Sequence, residues 1–119
     1  MLTLSSSVRI FIAAEPVDLR RGHDGLAALV GALGTHDLYA GHLFVFVGRR
    51  SDRVKILSWD RGGFVVYYKR LCRGTFRMPR IPDGTREVEL DGTTLAMLLD
   101  GIDVRRVVRP PVWKPSRVA

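Results

Sequence analysis

Three apolar runs rich in β-branched and aromatic residues, "HLFVFV", "RVKILSW" and "FVVYYKRL", follow one another with only "GRRSD" and "DRGG" between them. Connections that short cannot carry a crossover, so successive strands must fold back on each other. The stretch therefore predicts an antiparallel three-stranded meander. Its register follows from the turns. With Arg61 and Gly62 as a two-residue turn, Trp59 faces Phe64, Lys55 faces Tyr68 and Arg53 faces Arg70. With "GRRSD" closing the first hairpin, Val47 lies beside Val54. Both faces of the meander are apolar, one through Leu43, Val45, Val54, Ile56 and Val65, the other through Phe44, Phe46, Leu57, Trp59 and Val66. Such a sheet must be covered on both sides or curled, toward a barrel at the limit.

The rest of the chain supplies candidates for the cover. "VRIFIAA" alternates Val8, Ile10 and Ile12 inward with Arg9 and Phe11 outward, a strand ended by Glu15-Pro16. In "VDLRRGHDGLAALVGALG" the residues Leu26, Leu29, Val30 and Leu33 recur at three- and four-residue spacing, which predicts an amphipathic helix over about His23 to Leu33. "GTFRMPRIPDG" reads as a short edge strand broken by Pro79 and Pro82. "REVEL" reads as a further strand and "DGTTLAMLLDGI" as a second helix with Leu95, Leu98 and Leu99 on its apolar side. A chain of 119 residues has the length for one core. The expected fold is one α+β domain over residues 1–106, a curled antiparallel sheet with two short helices, followed by a basic Pro-rich tail over 107–119.

The meander also decides where charge collects. The turn after its first strand and the end of its third lie at the same edge of the sheet, so Arg49, Arg50 and Arg53 come near Lys69, Arg70 and Arg73, with Lys55 adjoining on the middle strand. The opposite end, around "DRGG", holds Asp60 and Arg61 and is close to neutral. The whole chain leans the same way, with 19 Lys and Arg against 12 Asp and Glu, a net charge of +7 and a pI near 10.5. All the cations except Lys55, Lys69 and Lys114 are arginines, whose planar fork suits phosphate oxygens. These seven residues of the cluster are the candidate nucleic-acid contacts. The bland alternative is a set of solvated strand ends that keep a sheet edge from aggregating. Trp59, Tyr67 and Tyr68 are read as packing rather than base-stacking groups.

Catalytic chemistry has no comparable signal. His23, His36 and His42 lack metal-ligand spacing, and the acidic residues sit near turns and helix ends, where capping accounts for them. Cys72 is the only cysteine, which rules out an internal disulfide, and it has no assigned base. No cofactor, no metal and no catalytic residue are expected. The start "MLTLSSSVRIFIAAE" lacks a basic n-region and no segment is apolar enough to span a bilayer, so a cytoplasmic protein without a membrane partner is expected.

The order "DLRRGHDGLAALV", "GHLFVFVGRRSDRVKILSWDRGGFVVYYKRLCRGTFRMP" and "LAMLLDGIDVRR" resembles the TnpB (Orf2-like) accessory proteins of the IS 66 family of insertion sequences. The resemblance covers about Val8 to Arg106. It is carried by G-H-L-F-V-F at Gly41 to Phe46, R-x-D-R-x-K at Arg50 to Lys55, Trp59-Asp60, and K-R-L at Lys69 to Leu71, together and in order. It implies a part in DNA transposition beside a separate, larger transposase that performs the strand chemistry, and it brings no catalytic residue. The expected partners are DNA at the insertion-sequence ends, the transposase and other element-encoded proteins. A scaffold that recruits the transposase without touching DNA is the competing expectation, and a cryptic nuclease would need several carboxylates in one cleft.

Overall fold

In the computed structural model, which describes residues 7–116, the meander forms with the expected register. Its strands are β2 (Leu43–Val47), β3 (Arg53–Asp60) and β4 (Gly63–Arg70), preceded by β1 (Ile10–Ala13) and α1 (His23–Leu33) and followed by β5 (Glu87–Leu90) and α2 (Gly92–Leu99). Val47 pairs with Val54, and Trp59, Lys55 and Arg53 pair with Phe64, Tyr68 and Arg70. Arg61 and Gly62 both adopt positive φ, 40° and 85°, the backbone twist that a two-residue hairpin needs. The opening residues 1–6, part of the segment expected to carry no targeting signal, and residues 117–119 of the expected tail lie outside the described residues.

The sheet order is β4-β3-β2-β1-β5, an open, curled five-stranded sheet in an α+β fold. One pair departs from the antiparallel expectation, since β1 runs parallel to β2, with Ile10, Phe11 and Ile12 beside Leu43, Phe44 and Val45. The cause is the connection. Residues 14–42 include α1, and a crossover of that length returns the chain to the starting end, as a two-residue turn cannot. β5 then closes antiparallel on the other side of β1.

Cover on both faces sorts the core into two clusters. Ile10, Ile12, Val45, Val54 and Ile56 meet Leu95 and Leu98 of α2 and Phe76 on one face. Phe11, Phe44, Phe46 and Leu57 meet Leu26 and Val30 of α1 on the other. Phe11, expected to point outward, is therefore buried: both sides of β1 are inside, so alternation no longer separates water from core. Leu26 and Val30 are buried, whereas Leu29 and Leu33 are half-buried at the margin of the helix face. The expected edge strand in "GTFRMPRIPDG" does not form. Pro79 and Pro82 cannot donate to a ladder, and Gly74 turns at φ 76°, so the segment instead crosses the sheet and drops Phe76, 2% exposed, into the core. Met78 packs against the same cluster.

Helix α2 is fixed at both ends by side chains. Asp91 accepts from the Thr94 backbone N–H at 2.7 Å as N-cap, and Lys69 Nζ donates to the Leu99 carbonyl at 2.6 Å, where the helix dipole is negative. Arg109 also pairs with Asp91 at 2.7 Å. That guanidinium first, and the Thr94 N–H next, hold the Asp91 carboxyl down to about 2. A folded-state value below the unfolded one contributes stability above about pH 4 that fades as pH falls toward 2. Asp91→Ala is expected to cost about 0.5–2 kcal/mol at neutral pH. Asp91→Asn, which keeps the cap acceptor, should keep most of that while flattening the acid side of urea-midpoint profiles.

Candidate nucleic-acid interface

The β2–β3 turn is built to hold its cations out. Ser51 N–H donates to Gly48 O and Gly48 N–H to Arg53 O, both at 2.9 Å, which leaves Arg49 and Arg50 at the apex. Ser51 carries φ 61°. Two further bonds brace the turn from outside: Phe76 N–H to Ser51 O at 2.6 Å and Leu71 N–H to Asp52 O at 2.8 Å. The apex is thus a rigid projection tied to the chain leaving β4.

The expected residues divide by what their side chains do. Arg49 and Arg50 are exposed at the apex, and Arg53 sits opposite Arg70 on the ladder, so these four share one end of the sheet. Arg73 follows, exposed, three residues beyond β4. Lys55 is partly spoken for: its Nζ donates to the Arg21 carbonyl at 2.9 Å and lies 5.1 Å from the Tyr68 ring centroid. Lys69 turns to the α2 side and is engaged at the helix C-terminus. The pleat explains the split, because neighbours on one strand face opposite sides.

Geometry adds cations that the meander alone did not bring in. Val17 bridges to Gly48 in parallel, and this carries Asp18 and Arg20 to the same end, where they line a groove of about 410 Å³ with Arg49, Arg50 and Arg53. Arg77, Arg80 and Arg105 also converge there, around Arg50. The non-strand path of residues 74–82 hid Arg77 and Arg80. The signal in the sequence was Arg77 set between Phe76 and Met78, which marks a segment with one anchored side.

Acidic groups temper the α1 side of this end. Arg20 clasps Asp18, with Nη2 to Oδ2 at 2.7 Å, and this hydrogen bonding holds the Asp18 carboxyl well below the usual carboxylate range. Asp52 Oδ1 stands 4.0 Å from Arg53 Nε, and neither atom has a direct hydrogen-bond partner. A gap of that size suits a bridging group better than a direct contact.

Elsewhere the chemistry is structural. Trp59, Phe64 and Tyr39 pack edge-on, with the Trp59 and Phe64 rings 5.0 Å apart. His36 Nε2 meets Glu87 Oε1 at 2.6 Å, and His42 Nδ1 accepts the Arg9 N–H at 3.0 Å. Cys72 is exposed. Among the described residues no three His, Cys, Asp or Glu side chains gather as metal ligands, and no helix is long and apolar enough to cross a membrane.

The family profile described as IS66 Orf2 like protein matches residues 8–109, nearly the whole described domain. The chain belongs to the IS66 Orf2-like family. Membership associates it with an insertion sequence and its transposition, in an accessory role. Two similar proteins come from Sinorhizobium fredii. The uncharacterized protein y4jC is 40% identical over 119 residues, all of both chains. The uncharacterized protein y4hO is 34% identical over 118 residues, 99% of each. No solved structure matches the chain.

Proposed function

We propose that this protein is a non-enzymatic, cytoplasmic accessory factor in transposition that grips the DNA phosphate backbone with the basic end of its sheet. The observation carrying this is the rigid apex of Arg49 and Arg50 with the Arg53–Arg70 pair beside it, four guanidinium groups at one end of a chain of net charge +7. Exposed arginines on a braced turn supply charge and directed donors at little ordering cost, and they carry no base code of their own. The proposed partners are DNA at the element's ends and the element-encoded transposase.

The test is a salt-titrated gel shift with the terminal repeats and with an unrelated duplex. Binding to both should weaken steeply with salt, with a modest preference at most. Absence of any shift at about 50 mM salt would remove DNA from the proposal. A second function is favoured by the uncovered edge strand β4, where Val65, Tyr67 and Tyr68 are 47%, 38% and 51% exposed. There the chain would dock the transposase directly, and binding would be indifferent to salt.

A further inference from the structure

On the α2 side of the basic end, Arg50, Arg77, Arg80 and Arg105 surround a groove of about 550 Å³ that also presents the Ser51 and Thr75 side chains. No carboxylate lines it. Asp103 is the nearest acid by pairing, bound to Arg105 at 3.0 Å and shared with Arg106 at 3.5 Å. Among the described residues no ion pair engages Arg50, Arg77 or Arg80. The groove on the α1 side differs: there the arginines face Asp18 and Asp52.

The two sides are joined at one residue, since Arg50 lines both grooves. The α2-side wall is firmly seated as well. Phe76 is buried, its N–H is bonded to the turn, and Pro79 limits the backbone between Arg77 and Arg80. Three unpaired guanidinium groups on a stiff wall, with Ser51 and Thr75 between them and only Arg105 held by a carboxylate, form a surface for consecutive anionic groups rather than for one small ion.

We propose, building on the DNA-backbone function above, that the α2-side groove of Arg50, Arg77, Arg80 and Arg105 is a second phosphodiester-binding locus. A nucleic-acid backbone then passes over the end of the sheet from one face to the other, with Arg50 at the crossing. The contact is a saddle over the strand ends.

The experiment measures fluorescence-anisotropy binding of a short duplex against salt for the wild-type chain, R77Q/R80Q, R77K/R80K, R49Q/R53Q and the quadruple Gln variant. R77Q/R80Q is expected to lower the slope of log affinity against log salt by about 1.8, which makes its loss of affinity from about 50 to 200 mM salt roughly 12-fold smaller than that of wild type. The Lys variant should keep the wild-type slope, and the two Gln pairs should add in the quadruple variant. A wild-type slope in R77Q/R80Q, with R49Q/R53Q reduced, overturns the second locus and leaves the DNA function standing. A reduced slope that Lys does not restore also overturns it, because charge is then not the cause. No duplex binding by wild type at about 50 mM salt overturns both. Matching urea midpoints confirm that the exposed substitutions leave the fold in place.

Discussion

Phe44→Ala should lower the free energy of unfolding by about 3–5 kcal/mol, a large share of what a domain of this size has. Phe44 is fully buried in the central region of the sheet, 0% exposed. Its ring lies 5.8 Å from Phe11 in a stacked arrangement and 5.5 Å from His36. Leu57 faces it across the β2–β3 ladder. Truncation therefore removes burial, leaves a cavity between sheet and α1, and strips an aromatic partner from β1 at once. The neighbours are strand residues held by ladders on both sides and have little room to collapse. Urea melts of wild type and variant at equal m-value would measure it, and a loss below about 1 kcal/mol would show that the α1 side is loosely packed. Leu29→Ala, at the half-buried margin of α1, should cost distinctly less.

Replacing Arg49, Arg50 and Arg53 together by Gln should flatten the salt dependence of DNA binding by about 2 to 3 in slope, with little change in sequence preference. Each guanidinium that no longer neutralises a phosphate leaves a counterion on the DNA. Arg53 stands near Asp52, so its share should be the smallest of the three. The fold should survive because Arg49 and Arg50 are exposed and the turn is held by backbone bonds. If the protein instead docks the transposase through β4, the triple variant will keep that binding, and Val65→Asp with Tyr67→Asp will abolish it. An unchanged slope in the triple variant would favour this second outcome.

Local chemistry made much of the fold legible. The Arg61-Gly62 turn set the β3–β4 register, and the spacing of Leu26, Val30, Leu95 and Leu98 located both helices. What stayed hidden depends on partners distant in sequence. The burial of Phe11 depends on β1 being covered from both sides, and nothing in "VRIFIAA" records a neighbour on either edge. The path of Phe76 across the sheet depends on the hydrogen bond from its N–H to Ser51. The hairpin topology gathered the cations at one end of the sheet, but Lys69 was absorbed by the end of a helix whose position the sequence did not reveal. Arg77, Arg80 and Arg105 joined the site through that same unseen side of the molecule.

The placement of β1 sets an order of assembly. The meander of β2, β3 and β4 needs only contacts close in sequence, whereas β1 lies between β2 and β5, with Ile10 paired to both Leu43 and Leu90. Loop closure makes such distant pairings slow. During synthesis, β1 has an unpaired edge until residues 87–90 have emerged, while the hairpins that carry the arginines can already be closed. Pulsed hydrogen exchange during refolding should accordingly protect the amides of β3 and β4 before those of the β1–β5 ladder. The basic apex would then exist on a nascent chain whose N-terminal strand is still searching for its last partner.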